Sequence, residues 1–141
     1  MLFRSAFLFK YDVITPDANG NIVIHRKGTE RGSPDQAYPK FKLNSTIDWS
    51  TDYYGVSFTG RYISSVYEPA FAHRMKSTFY GDIQMYFSPA FLDHKTRLTV
   101  GVNNVFDKDP PACFSCDSAN FDPTTYDVPG QFGYVRLSYG F

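Results

Sequence analysis

The most reactive side chains in this sequence are two cysteines in a four-residue frame, Cys113-Phe114-Ser115-Cys116. Such a CxxC pair can exchange thiols with disulfides, supply half of a zinc site, or close a local disulfide. Zinc needs a second ligand pair at matching spacing, and a thioredoxin-like centre needs a βαβ setting; neither surrounds these cysteines. His25, His73 and His94 are scattered, with no HExxH or i,i+4 partner, and read as solvated loop residues. Asp107, Asp109, Asp117 and Asp122 do not follow the spacing of an EF-hand loop and read the same way. No nucleophile elbow, phosphate-binding glycine loop or dinucleotide fingerprint occurs. The chain is therefore expected to be a non-enzyme with no catalytic residue, cofactor or metal site.

Lys+Arg and Asp+Glu both number 14, a net charge of zero that argues against nucleic acid as a partner. Aromatic residues make up 18% of the chain, with 11 Tyr and 14 Phe, a composition suited to surfaces that are apolar at one end and wet at the other. No run approaches the roughly 18 apolar residues of a transmembrane helix. A barrel strand needs only about 9–11 residues of alternating polarity, so the mean hydropathy of −0.33 does not separate the classes.

The elements that hold these side chains are read from strict period-2 alternation. Phe41, Leu43, Ile47 and Trp49 oppose Lys42, Asn44, Thr46 and Asp48; Tyr54, Val56, Phe58 and Tyr62 oppose Ser57, Thr59 and Arg61. Phe79, Ile83, Met85 and Phe87 oppose Tyr80, Asp82, Gln84 and Tyr86; Leu98, Val100 and Val102 oppose Arg97, Thr99 and Asn103. Val135, Leu137, Tyr139 and Phe141 oppose Tyr134, Arg136 and Ser138. A weaker first run carries Phe7, Phe9, Tyr11 and Val13. The pattern predicts an all-β antiparallel meander of about six long strands, near 3–13, 41–50, 53–63, 79–88, 96–103 and 131–141.

A soluble half-buried sheet would segregate charge in the same way. Three features favour a transmembrane barrel. The runs exceed the typical soluble strand of about 5–6 residues. Aromatics end the apolar faces, where interfacial girdles belong. Long connections (14–40, 64–78, 104–130) alternate with short ones (50–52, 89–95), the habit of barrels with long outer loops and short periplasmic turns. In that topology Cys113 and Cys116 lie in an extracellular, oxidising loop, which favours a local disulfide over free thiols or a metal. Tyr80, Tyr86 and Tyr134 share the lumen side with Arg61, Arg97 and Arg136. That lining reads as a polar ladder between barrel and plug before it reads as a ligand site.

The stretch Leu98-Thr99-Val100-Gly101-Val102-Asn103-Asn104-Val105-Phe106-Asp107-Lys108-Asp109-Pro110-Pro111 resembles the penultimate strand and loop entry of TonB-dependent outer-membrane receptors. Asn120-Phe121-Asp122-Pro123-Thr124-Thr125-Tyr126-Asp127 and the ending from Gly130 to Phe141 are similar to that family's last loop and strand. The start Tyr38-Pro39-Lys40, with Trp49 further on, is similar to an earlier strand. The motif residues are Asn103, Asn104, Val105, Phe106, Asp107 and Pro110. The resemblance implies that residues 1–141 are the C-terminal part of a barrel of about 22 strands whose lumen is plugged. It places the plug domain, energy-coupling segment and signal peptide elsewhere in a longer protein of the Gram-negative outer membrane. It also implies TonB-energised uptake of a scarce nutrient such as a siderophore, vitamin or oligosaccharide. The implied partners are outer-membrane lipid, the rest of the barrel and plug, the TonB complex and the barrel-assembly machinery. That machinery would recognise Val135, Leu137, Tyr139 and Phe141. A passive porin fragment and a soluble β-sandwich or ligand-binding barrel are the other readings.

Overall fold

The computed structural model describes residues 2–92, 95–117 and 119–140. In chain order the strands are β1 (Leu2–Phe7), β2 (Asp12–Asp17), β3 (Gly20–His25), β4 (Phe41–Ser50) and β5 (Tyr54–Ile63). There follow β6 (Val66–Glu68), β7 (His73–Met75), β8 (Thr78–Phe87), β9 (Thr96–Asn103) and β10 (Phe132–Tyr139). Six of them form one sheet in the order β1-β4-β5-β8-β9-β10, every neighbour antiparallel. β2–β3 and β6–β7 are separate hairpins.

The first strand is shorter than alternation predicts. Pairing with β4 ends at Phe7, opposite Phe41. The strand expected over 3–13 therefore stops early, and Asp12–Asp17 turns back on Gly20–His25. The competing signal was Asn19-Gly20: Gly20 takes φ 130°, open to glycine, and closes a tight hairpin.

Register turns period-2 alternation within each strand into two continuous faces. Trp49 pairs with Val56, Val56 with Met85, Met85 with Val100 and Val100 with Val135, so one row crosses five strands on the apolar face. On the other face Asp48, Ser57, Gln84, Gly101 and Tyr134 make the matching polar row. A slip of one residue at any pair would set charges into the apolar rows.

β4, β5 and β8 each have 10 residues. At about 3.4 Å per residue and about 45° of tilt, they cover roughly 24 Å of depth, the height of an outer-membrane apolar band. Aromatic rings bound it at both ends. Phe7–Phe41 (4.5 Å), Phe41–Tyr62 (6.1 Å) and Phe79–Phe106 (5.9 Å) meet at the loop end, and Trp49–Tyr54 (5.6 Å) at the turn end.

The sheet has no core of its own. Ile47, Met85 and Leu137 on the apolar face are 50%, 53% and 72% exposed, and no second sheet covers them among the described residues. The buried cluster is Ala37, Ile63, Val66, Met75, Tyr80, Cys113, Cys116 and Tyr126. Within it only Ile63 and Tyr80 belong to the long strands, and both stand toward their loop ends. A soluble β-sandwich would place its core between apolar faces; here it sits among the loops.

Glycines on the polar face seat tyrosine rings. A Cβ at Gly101 would stand 2.4 Å from Cζ of Tyr134, the residue opposite, and one at Gly55 would stand 2.5 Å from Tyr86. Gly101→Ala is expected to cost about 1–3 kcal/mol through overpacking. Gly133→Ala, where the nearest atom is 4.0 Å away, should be close to neutral; urea midpoints of the two variants check this.

Candidate functional site

Three long connections, residues 8–40, 64–77 and 104–131, gather at one end of the sheet and cap it. Loops lack a ladder to satisfy their backbone, so buried loop amides need other acceptors. Here carboxylates serve. Asp122 is fully buried: Oδ2 accepts from the Ala37 amide (3.0 Å), and Oδ1 from the Thr124 amide (2.8 Å) and hydroxyl (2.7 Å). Asp35 Oδ1 accepts from the Asp117 amide at 2.8 Å. Glu30 Oε1 accepts from the Gln36 and Arg31 amides at 2.8 and 3.1 Å. Glu68 Oε1 accepts from the Ser115 amide (2.8 Å) and hydroxyl (2.9 Å), while Oε2 meets His73 Nδ1. Asp122 and Asp35 thus tie the last loop to the first, and Glu68 ties it to the middle one.

This arrangement corrects two expectations. Asp122 is an internal staple rather than a solvated loop acid, and His73 is half-buried against Glu68 and the Phe114 ring (4.6 Å). The other acids and histidines do not assemble with them. Asp107 and Asp109 are exposed, His25 bonds Asp12 at 2.9 Å on the far hairpin, and His94 lies outside the described residues.

Cys113 and Cys116 are joined by a disulfide and buried beside Glu30. With the thiols oxidised, the three residues do not offer a thiolate metal site. Burial pushes the Glu30 carboxyl above its ordinary range, and its Oε2 has no hydrogen-bond partner among the described residues. Burial, with Glu30 and Asp122 nearby, also pushes the Tyr126 phenol up.

At Glu68 burial again acts upward, but the hydrogen bonds from His73 and Ser115 outweigh it, leaving the carboxyl below its ordinary 4.5. A lowered folded value means that the folded state binds fewer protons, so this tie is complete above pH 4.5 and fails as pH falls through the lowered value. Glu30, shifted upward, acts in the opposite sense and adds nothing to an acid loss. Acidification is therefore expected to speed exchange of the Ser115 amide, and Glu68→Gln should flatten that dependence.

Below the cap the polar face carries a ladder of side chains. Arg61 forks to Asp82 (2.9 and 3.1 Å) and to Asp127 (2.9 and 2.6 Å), joining β5, β8 and the last loop. Its guanidinium stands 5.3 Å over the Tyr80 ring, and Arg97 stands 4.4 Å over Tyr86. Tyr134 donates to Gln84 at 2.7 Å, and Thr46 meets Thr59 at 3.0 Å. Most of these polar groups are satisfied by one another, an arrangement suited to a wall that faces water or another domain.

The Asn103–Pro110 motif is a clasp at the loop end. Asn103, exposed, ends β9 opposite Phe132. Asn104 is buried at φ 49°, a left-handed backbone that Asn tolerates. It donates from Nδ2 to the Lys108 carbonyl (3.0 Å), accepts from the Lys108 amide (2.9 Å), and gives its own amide to Asp82 (2.9 Å). The Val105 amide reaches the Gly81 carbonyl at 2.7 Å, and Phe106 lies over Gly81, which has no Cβ to block it. Asp107 accepts from the Gln131 amide at 2.9 Å and so sets the entry to β10. Pro110 is half-buried in the loop wall. Val135, Leu137 and Tyr139 line the apolar face of the edge strand β10, 71%, 72% and 61% exposed; Phe141 lies outside the described residues.

No protein-family model and no curated protein matches the sequence. Two solved structures do, both mutants of the ferric enterobactin receptor of Pseudomonas aeruginosa. Each is 19% identical, with a TM-score of 0.56 over 92% of this chain. The chain spans 21% of that receptor's length. At this identity the likeness is one of fold: an all-β chain whose six-stranded antiparallel sheet matches part of a β-barrel receptor.

Proposed function

We propose that this chain is the C-terminal part of the barrel of an outer-membrane receptor, one that imports a scarce nutrient with energy delivered through TonB. The nutrient is of the siderophore, vitamin or oligosaccharide kind, and the chain performs no catalysis. The observation that carries this reading is the registered, exposed apolar band about 24 Å high, bounded by aromatic rings, behind a polar face and under a single cap of long loops. Similarity in fold to part of a ferric enterobactin receptor supports it. In this reading the apolar band meets outer-membrane lipid, while β1 and β10 pair with barrel strands beyond this chain. The polar ladder faces a plug, and Val135, Leu137, Tyr139 and Phe141 address the barrel-assembly machinery.

The test uses the full-length protein that bears this sequence, in its own bacterium, with an epitope inserted beside Ala119. Labelling on intact cells, and nutrient uptake that stops when TonB is deleted, are the expected results. Recovery in the soluble fraction would overturn the membrane assignment. Uptake that persists without TonB would instead make the protein a passive channel.

A further inference from the structure

A groove of about 310 Å³ runs in the loop wall between β7 with the chain just after it and the segment 108–112. Arg74, Lys76, Ser77, Lys108, Asp109 and Pro110 are among the residues that line it. Three of these are cations against one carboxylate, in a chain whose overall charge is zero. Among the described residues none of the three cations forms an ion pair; Arg74 reaches only the Ser65 hydroxyl, at 3.3 Å. His73 at the groove's edge is held by Glu68.

The height of this groove sets its chemistry. Phe79 and Phe106, 5.9 Å apart, close the loop end of the apolar band. Lys76 and Lys108 lie three and two residues along the chain from them. At no more than about 3.6 Å per residue, their backbones stand within roughly 11 Å of the band's edge. The headgroup layer on each side of a bilayer is about 5–8 Å deep, and both side chains are long enough to reach it. A cationic groove directly above a lipid-facing aromatic edge is complementary to a phosphorylated lipid headgroup, whose acyl chains would lie on the band below.

We propose that Arg74, Lys76 and Lys108 bind the phosphate of a phosphorylated glycolipid in the outer leaflet and thereby anchor the loop cap at the membrane surface. The inference rests on the membrane reading above. Continuity with the apolar band favours a lipid over a free anion, since a soluble anion needs no adjoining acyl surface.

The experiment takes the full-length protein, extracted in detergent and placed in nanodiscs. It measures binding of lipid A, of dephosphorylated lipid A and of inorganic phosphate. The Arg74→Ala/Lys76→Ala/Lys108→Ala variant is expected to bind lipid A on the order of 100-fold more weakly, roughly five-fold per cation. Lysine–arginine exchanges at the three positions should retain most of the affinity. Because a misfolded variant would also lose binding, heat-modifiable migration on gels must match the parent. Equal affinity of parent and variant, or of lipid A and its dephosphorylated form, would overturn the proposal while leaving the barrel reading intact. Inorganic phosphate binding as tightly as lipid A would overturn the lipid assignment. Failure of the parent to enter nanodiscs would overturn the membrane reading itself.

Discussion

Replacing Asp122 with alanine is expected to release the loop 104–131 from the loop 8–40 while leaving the strands paired. The carboxylate is wholly buried and accepts hydrogen bonds from two backbone amides and one hydroxyl. Removing it leaves the Thr124 amide without its acceptor and the Ala37 amide with only a 3.4 Å contact to Thr125 Oγ1. A buried donor without a partner costs about 1–3 kcal/mol, so the two amides together amount to roughly 3 kcal/mol. Exchange of these amides should accelerate on the order of 100-fold, with new protease cleavage inside the last loop. Thr124→Ala removes only the hydroxyl bonds and should have a far smaller effect. Asp122→Asn turns an amide group toward at least one donor and should fall between the two. Unchanged exchange at Ala37 in Asp122→Ala would show that the staple does not hold the loops together.

The second large effect is expected at Arg61. Its fork neutralises Asp82 and Asp127 together, and all three side chains are between a fifth and a third exposed. Deleting one partner of a fully buried pair costs about 3–5 kcal/mol. Partial solvent access lowers the expectation for Arg61→Ala to roughly 2–3 kcal/mol. Arg61→Lys keeps the charge but cannot fork to both carboxylates, and should recover less than half of the loss. Combining Arg61→Ala with Asp127→Asn separates the wall contact from the loop contact, because Asp82 also holds the Asn104 amide. Urea midpoints of the full-length protein in detergent measure all three. A loss below about 0.5 kcal/mol would mark the fork as a surface contact of little weight.

Much of the sheet was legible in the sequence because its signals are local. A strand writes its two faces with period two, so Leu43, Ile47 and Trp49 could be separated from Asn44, Thr46 and Asp48 without any partner strand in view. Charge followed the same parity, since an unpaired Lys or Arg in the apolar band is expensive. The alternation of long and short connections fixed which ends of the strands face the same way. The first strand failed this reading because Phe9, Tyr11 and Val13 continue the alternation past the point where pairing with β4 ends. Only the tertiary ladder could show that Asp12–Asp17 had left the sheet for a hairpin of its own.

The loop cap was decided by tertiary structure. Ala37 and Asp122 are 85 positions apart, and Asp35 and Asp117 are 82 apart. A carboxylate that satisfies a distant backbone amide leaves no periodic trace, so Asp122 looked like any solvated aspartate. The same holds for Glu30, Glu68 and the clasp made by Asn104, whose motif was recognisable while its hydrogen bonds were not. Composition and alternation determined which face meets the apolar phase. The location of the buried core awaited the folded chain, because loop burial depends on long-range contacts between polar side chains and backbone rather than on any pattern of hydrophobic residues.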